Sequence, residues 1–154
     1  MKFKLIILLF FGITINGFGQ NLNMIIEVNE RLVTTEIAGA YLNFESIDGT
    51  ISRNRVSYHP GELVLKSDHW KKINSESTNK ITLTFDYYAL KGKWHNSVVF
   101  GIEMKKHHFD KNYLILRVYD FREQKFKKRY GCLTDEKFIA ELNFPQSGVL
   151  IRCK

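Results

Sequence analysis

Residues 113–130, YLILRVYDFREQKFKKRY, constrain the chain more than any other stretch. Leu114, Leu116 and Val118 alternate with Tyr113, Ile115, Arg117 and Tyr119. A period of two sends successive side chains to opposite faces, which is the geometry of a β-strand. Arg122-Glu123-Gln124 interrupts the run, and Phe126, Lys128 and Tyr130 then alternate with Lys125, Lys127 and Arg129. The pattern predicts two antiparallel strands joined by a short turn. Leu114, Leu116, Val118 and Phe126 would face a core, and Lys125, Lys127 and Arg129 would form a basic outer face.

The same period recurs along the chain. Met24, Ile26 and Val28 define a first strand, followed by an Asn29-Glu30-Arg31 turn. Residues 32–38 fit a short helix or a strand edge. Ala40, Leu42 and Phe44 mark a second strand, and Asp48-Gly49 turns it into a partner over residues 51–58, because Gly accepts positive φ at no steric cost. Pro60-Gly61 makes another turn before a short strand at 63–65. Residues 67–79 are linker-like, with Asp68 placed to cap one helical turn ahead of Trp70 and Ile73. Ile81, Leu83, Phe85 and Tyr87 form a strand that Lys91-Gly92-Lys93 turns into Val98, Phe100, Ile102 and Met104. Residues 105–112 are a polar connection. Phe138, Ala140, Leu142 and Phe144 alternate again, and Pro145-Gln146-Ser147-Gly148 turns into a last strand at 149–153.

About nine short strands with turn signals every ten or so residues, and no long helical period between them, predict an all-β fold. The expected architecture is an antiparallel β-sandwich, Ig-like or transthyretin-like. Ile37-Ala38-Gly39-Ala40-Tyr41-Leu42 resembles the start of transthyretin-like and carboxypeptidase-regulatory modules, over less than a tenth of the chain.

Residues 1–19 read as a signal peptide rather than as part of this fold. Lys2 and Lys4 precede an apolar run over residues 5–15, and Asn16-Gly17-Phe18-Gly19 supplies small residues for cleavage near Gly19. The run is shorter than the roughly 20 residues that span a bilayer. The Gly-Phe-Gly-Gln ending resembles exported proteins of Bacteroidota-type Gram-negative bacteria. Residues 20–154 would then form one domain, periplasmic or secreted, of a size that buries a sizeable core. Losing Lys2 and Lys4 lowers the formal charge from +7 to +5, which favours anionic partners without selecting one. In such a compartment Cys132 and Cys153 are expected to pair, closing a loop of about twenty residues; CxxC redox spacing and zinc-ligand patterns are absent.

No nucleophile elbow, HExxH, phosphate loop or EF-hand loop is present, so the reading leans away from an enzyme and implies no cofactor. His95, His107 and His108 are the weak metal candidates, and Lys105, Lys106 and Lys111 around the adjacent pair would repel a cation. Trp70, Tyr88 and Trp94, with Tyr87, are candidates for an aromatic platform for glycans or peptides. The basic residues Lys125, Lys127 and Arg129 would meet an acidic partner or protect a strand edge from aggregation; no nucleic-acid fold pattern accompanies them. The functional expectation is an exported, non-catalytic binding or accessory module of the cell envelope, its partner a protein, peptide or glycan. The alternatives are a small secreted hydrolase or metal-dependent enzyme, and an inhibitor or immunity-type protein with a protruding loop at 67–79 or 105–112.

Overall fold

A computed structural model describes residues 21–89, 96–148 and Cys153. The expected leader, the 91–93 turn with Trp94 and His95, and residues 149–152 of the expected last strand lie outside them.

The chain folds as strands β1 (Leu22–Val28), β2 (Arg31–Leu32), β3 (Ile37–Ser46), β4 (Ile51–His59) and β5 (Gly61–Val64), helix α1 (Ser67–Asn74), then β6 (Thr78–Ala89) and β7 (Asn96–Met104). A 3-10 turn (Lys106–His108), β8 (Leu114–Asp120), helix α2 (Gln124–Tyr130) and β9 (Phe138–Asn143) follow. The strands form one nine-stranded sheet in the order β7-β6-β3-β4-β5-β1-β8-β9, with β2 paired to β1. That sheet curls until it is nearly closed into a barrel. The Phe100 ring on edge strand β7 meets the Phe138 ring on edge strand β9, with centroids 5.1 Å apart. The fold is predominantly β, as the alternation predicts. What the pairing shows is one curled sheet, and it does not bear out a two-sheet sandwich. Nor is it wholly antiparallel, because β1 and β8 run parallel, Met24 beside Leu114 and Val28 beside Val118.

Each strand turns the residues of its apolar period inward. Met24, Ile26, Leu42, Leu83, Phe85, Phe100, Leu114, Leu116 and Val118 are all at most 1% exposed. At roughly 1.5–3 kcal/mol for each large apolar side chain removed from water, this filled interior dominates the fold. The turns follow their residues: Gly49 and Gly61 hold φ of 82° and 93°, and Thr50 N–H donates to Asp48 Oδ1 at 2.9 Å. Where β5 runs out beside β1, Tyr58 takes its place, accepting the Ile26 N–H at its hydroxyl at 3.0 Å.

The expected second strand of the 113–130 hairpin is instead helix α2. Phe126 and Tyr130 are four apart and share one helix face, where they pack on the outer side of β8 and β9 with Tyr119, Phe121 and Ile139. Tyr119 lies 4.5 Å from Tyr130 and 5.5 Å from Phe126, centroid to centroid. A strand would have turned Lys128 inward between those two rings. Burying an unpaired ammonium costs several kcal/mol, more than any difference in local propensity over seven residues. Burial and a hydrogen bond with Tyr130 raise the Tyr119 pKa well above the ordinary phenol range.

The start of α2 is docked by the β1–β2 turn. Asn29 and Glu30 both take left-handed φ, 54° and 64°, the geometry of a tight two-residue hairpin. Asn29 Oδ1 accepts the Asp120 N–H at 2.8 Å, and Asn29 Nδ2 donates to Glu123 Oε1 at 2.9 Å. Beyond the helix, Cys132 and Cys153 are joined through sulfurs 2.02 Å apart, so the bridge ties the C-terminal segment to the end of a helix rather than of a hairpin.

Candidate functional site

The start of β1, helix α1 and the segment after the 3-10 turn meet at one end of the barrel. Between them lies a cleft of about 550 Å³. Asn21, just before β1, and Asn23, on it, line one side, Trp70 lines it from α1, and Phe109, Asp110, Lys111 and Asn112 from the connection into β8.

Two copies of one local device build the wall. The sequence Lys-x-x-His-aromatic occurs at residues 66–70 and again at 105–109. In the first, Lys66 N–H donates to His69 Nδ1 at 3.0 Å while Lys66 C=O accepts the His69 N–H at 3.0 Å. In the second, Lys105 N–H donates to His108 Nδ1 at 3.1 Å while Lys105 C=O accepts the His108 N–H at 2.9 Å. The imidazole thus does what a Glu or Gln does in a capping box, satisfying an otherwise orphaned N–H at the start of a helical turn. Each device delivers the next aromatic residue to the same place: Trp70 and Phe109 meet edge to face, centroids 6.2 Å apart and planes at 81°. Thr78 Oγ1 donates to Lys72 C=O at 2.7 Å, and Ile73 drops into the core at 1% exposure, so α1 is fixed to the barrel from both sides.

Both capping rings are buried, and both require Nδ1 unprotonated. Burial lowers the His69 pKa, helped by Lys66. Burial, with His107, Lys105 and Lys111 adding positive charge nearby, pushes His108 down to about 4. His107 stays exposed and stacks edge to face on His108 at 4.4 Å. Among the described residues no group of three or more His, Cys, Asp or Glu gathers at metal-binding spacing.

The residues singled out from sequence do not converge. Trp70 is half-buried in the cleft, whereas Tyr88 lies near the far end of β6, roughly 30 Å along the strand from where α1 is anchored. Trp94 and His95 lie outside the described residues. Lys125, Lys127 and Arg129 do not form one face, because they sit on a helix. Lys125 and Arg129 are four apart and both bind the Glu30 carboxylate, whose pKa these two partners hold below the usual range. Lys127 points elsewhere and lines a separate depression of about 410 Å³ with Arg122 and Lys137. Sequence alone does not single out Asn21, Asn23, His69, Asp110 or Asn112, and it marks His108 as a metal candidate rather than a cap. The repeated Lys-x-x-His-aromatic spacing was the available signal.

Fold and cleft together define a β-barrel-like protein carrying a polar, aromatic-walled surface cleft at one end. No family model, curated protein or solved structure matches the chain. Among the described residues no helix is long and apolar enough to cross a membrane.

Proposed function

We propose that the chain is an exported, non-catalytic binding or accessory module of a bacterial cell envelope, and that it meets its protein, peptide or glycan partner through the cleft beside Trp70. The observation that carries this reading is the double clamp on the cleft wall. Trp70 and Phe109 are each delivered by a buried histidine cap and locked against one another. A preorganised aromatic wall lowers the entropy cost of binding. The barrel interior is filled by its own side chains, so a partner is met at its outer surface, where this cleft lies.

Two observations favour this reading over the alternatives. The segments at 67–79 and 105–112 do not protrude as an inhibitor's loop would, since His69, Ile73, His108 and Phe109 are buried. For a histidine-based hydrolase or metal enzyme, His108 Nδ1 is already committed to the Lys105 N–H. The test is capture of partners from envelope extract by the chain over residues 20–154 and by its Trp70→Ala variant. Specific partners held by the first and lost by the second are expected. Equal capture by both contradicts the assignment to this cleft.

A further inference from the structure

We infer that the cleft is a saccharide site, shaped for an uncharged sugar; the inference rests on the binding-module reading and names its ligand class. The argument starts from the donors and acceptors on the walls. Three side-chain amides, Asn21, Asn23 and Asn112, surround the cleft together with the Asp110 carboxylate. An amide offers both a donor and an acceptor, and a sugar hydroxyl needs both at once. Two of these amides are already oriented: Asn21 Nδ2 donates to Glu62 Oε1 at 2.7 Å, and Asn23 Nδ2 donates to the Asn112 C=O at 2.9 Å. Their carbonyl oxygens and the Asn112 side chain have no hydrogen-bond partner among the described residues.

Charge selects within the class. Asp110 and Lys111 are the ionic groups of the wall and cancel, and Lys111 is drawn toward the Phe144 ring, 4.8 Å away. A site for an anion would gather unpaired cations instead. Trp70, held edge-on by Phe109, adds a rigid flat surface for the apolar face of a pyranose. The volume of about 550 Å³ falls within the range of small-ligand sites. A peptide fits less well. Extended peptides are held mainly by adding to an open strand edge, and the β1 wall offers one of only two residues, Leu22 and Asn23, on its β8 side. Leu22 and Asn23 are paired with β5, and Met24 is paired with both β5 and β8.

The test is a two-dimensional amide NMR titration of the folded chain over residues 20–154 with cellobiose, maltose, chitobiose, a uronate disaccharide and tetra-alanine. The expected result is saturable shifts from at least one neutral sugar, concentrated on the Asn21, Asn23 and Asn112 side-chain amides and the Trp70 indole. Affinity should fall at least tenfold in Asn112→Ala, an exposed position that leaves the fold intact, and in Trp70→Ala, while Trp70→Phe retains most of it. In parallel, envelope extract is oxidised with periodate, which cleaves vicinal diols. Loss of Trp70-dependent capture after oxidation supports the saccharide assignment. Capture that survives oxidation, or shifts on these residues from tetra-alanine alone, overturns it while leaving the binding module standing. Absence of Trp70-dependent capture from untreated extract overturns both.

Discussion

Replacing His108 by Asn separates the two jobs of this residue. The Asn carboxamide oxygen occupies nearly the position of imidazole Nδ1, so it still accepts the Lys105 N–H, but it does not titrate. The His108 pKa is about 4 in the folded chain against an ordinary 6.5. A group with a lower pKa when folded binds its proton more readily in the unfolded chain. Stability is therefore complete above pH 6.5, falls as pH drops, and levels off below about 4. Each pH unit inside that window costs about 1.4 kcal/mol, so between pH 7 and 5 His108 alone removes about 2 kcal/mol. His69 is shifted in the same direction and adds to the loss. The carboxylates are common to both proteins and cancel in the difference between them. Urea unfolding at half-unit intervals from pH 7 to 5 should show the parent losing about 2 kcal/mol more than His108→Asn across the window. The variant itself should be about 1 kcal/mol less stable at pH 7, from the missing ring atoms. Parallel pH profiles for the two proteins would refute the claim that a buried, neutral imidazole caps this turn.

Three further perturbations probe the scaffold. Tyr58→Phe strands the Ile26 N–H, in a residue 1% exposed, and should lower stability by about 1–3 kcal/mol in urea melts. Asn29→Gly tolerates the left-handed backbone but leaves the Asp120 N–H without its acceptor, a loss of about 1–2 kcal/mol that thermal unfolding will register. Reduction of the Cys132–Cys153 bridge should cost about 3 kcal/mol in the chain-entropy model for a loop of this length. Intact mass with alkylation before and after reduction confirms which state is measured, and thiols that alkylate without reductant would contradict the bridge.

What was legible in the sequence was whatever one face of one element decides alone. Met24, Ile26 and Val28, or Ile81, Leu83 and Phe85, bury a single strand face, and the period of two shows it directly. Helix α2 was not legible because Phe126 and Tyr130 satisfy both periods. Only the packing of those rings on Tyr119, and the exclusion of Lys128 from between them, decides for the helix. The parallel pairing of β1 with β8 depends on partners about ninety residues apart, and closure of the sheet on the meeting of β7 with β9; no local pattern encodes either. The site was hidden for a related reason. Trp70 was visible as an aromatic in a polar stretch, but its place depends on Phe109, and the amides opposite it come from the start of β1 and the end of a distant connection. Adjacent imidazoles at His107 and His108 suggest a metal site, yet His108 is a cap, as is His69. Their role as caps depends on the lysine three positions earlier, whose contribution is its backbone rather than its charge.

The central claim is that partners are met at the cleft beside Trp70. It is tested most directly by amide hydrogen exchange of the chain over residues 20–154, alone and bound to the material it captures from envelope extract. Slowed exchange concentrated in residues 21–23, 69–73 and 108–112 is the expected result. Slowed exchange confined to α2 and the outer faces of β8 and β9, with those three segments unchanged, would contradict it.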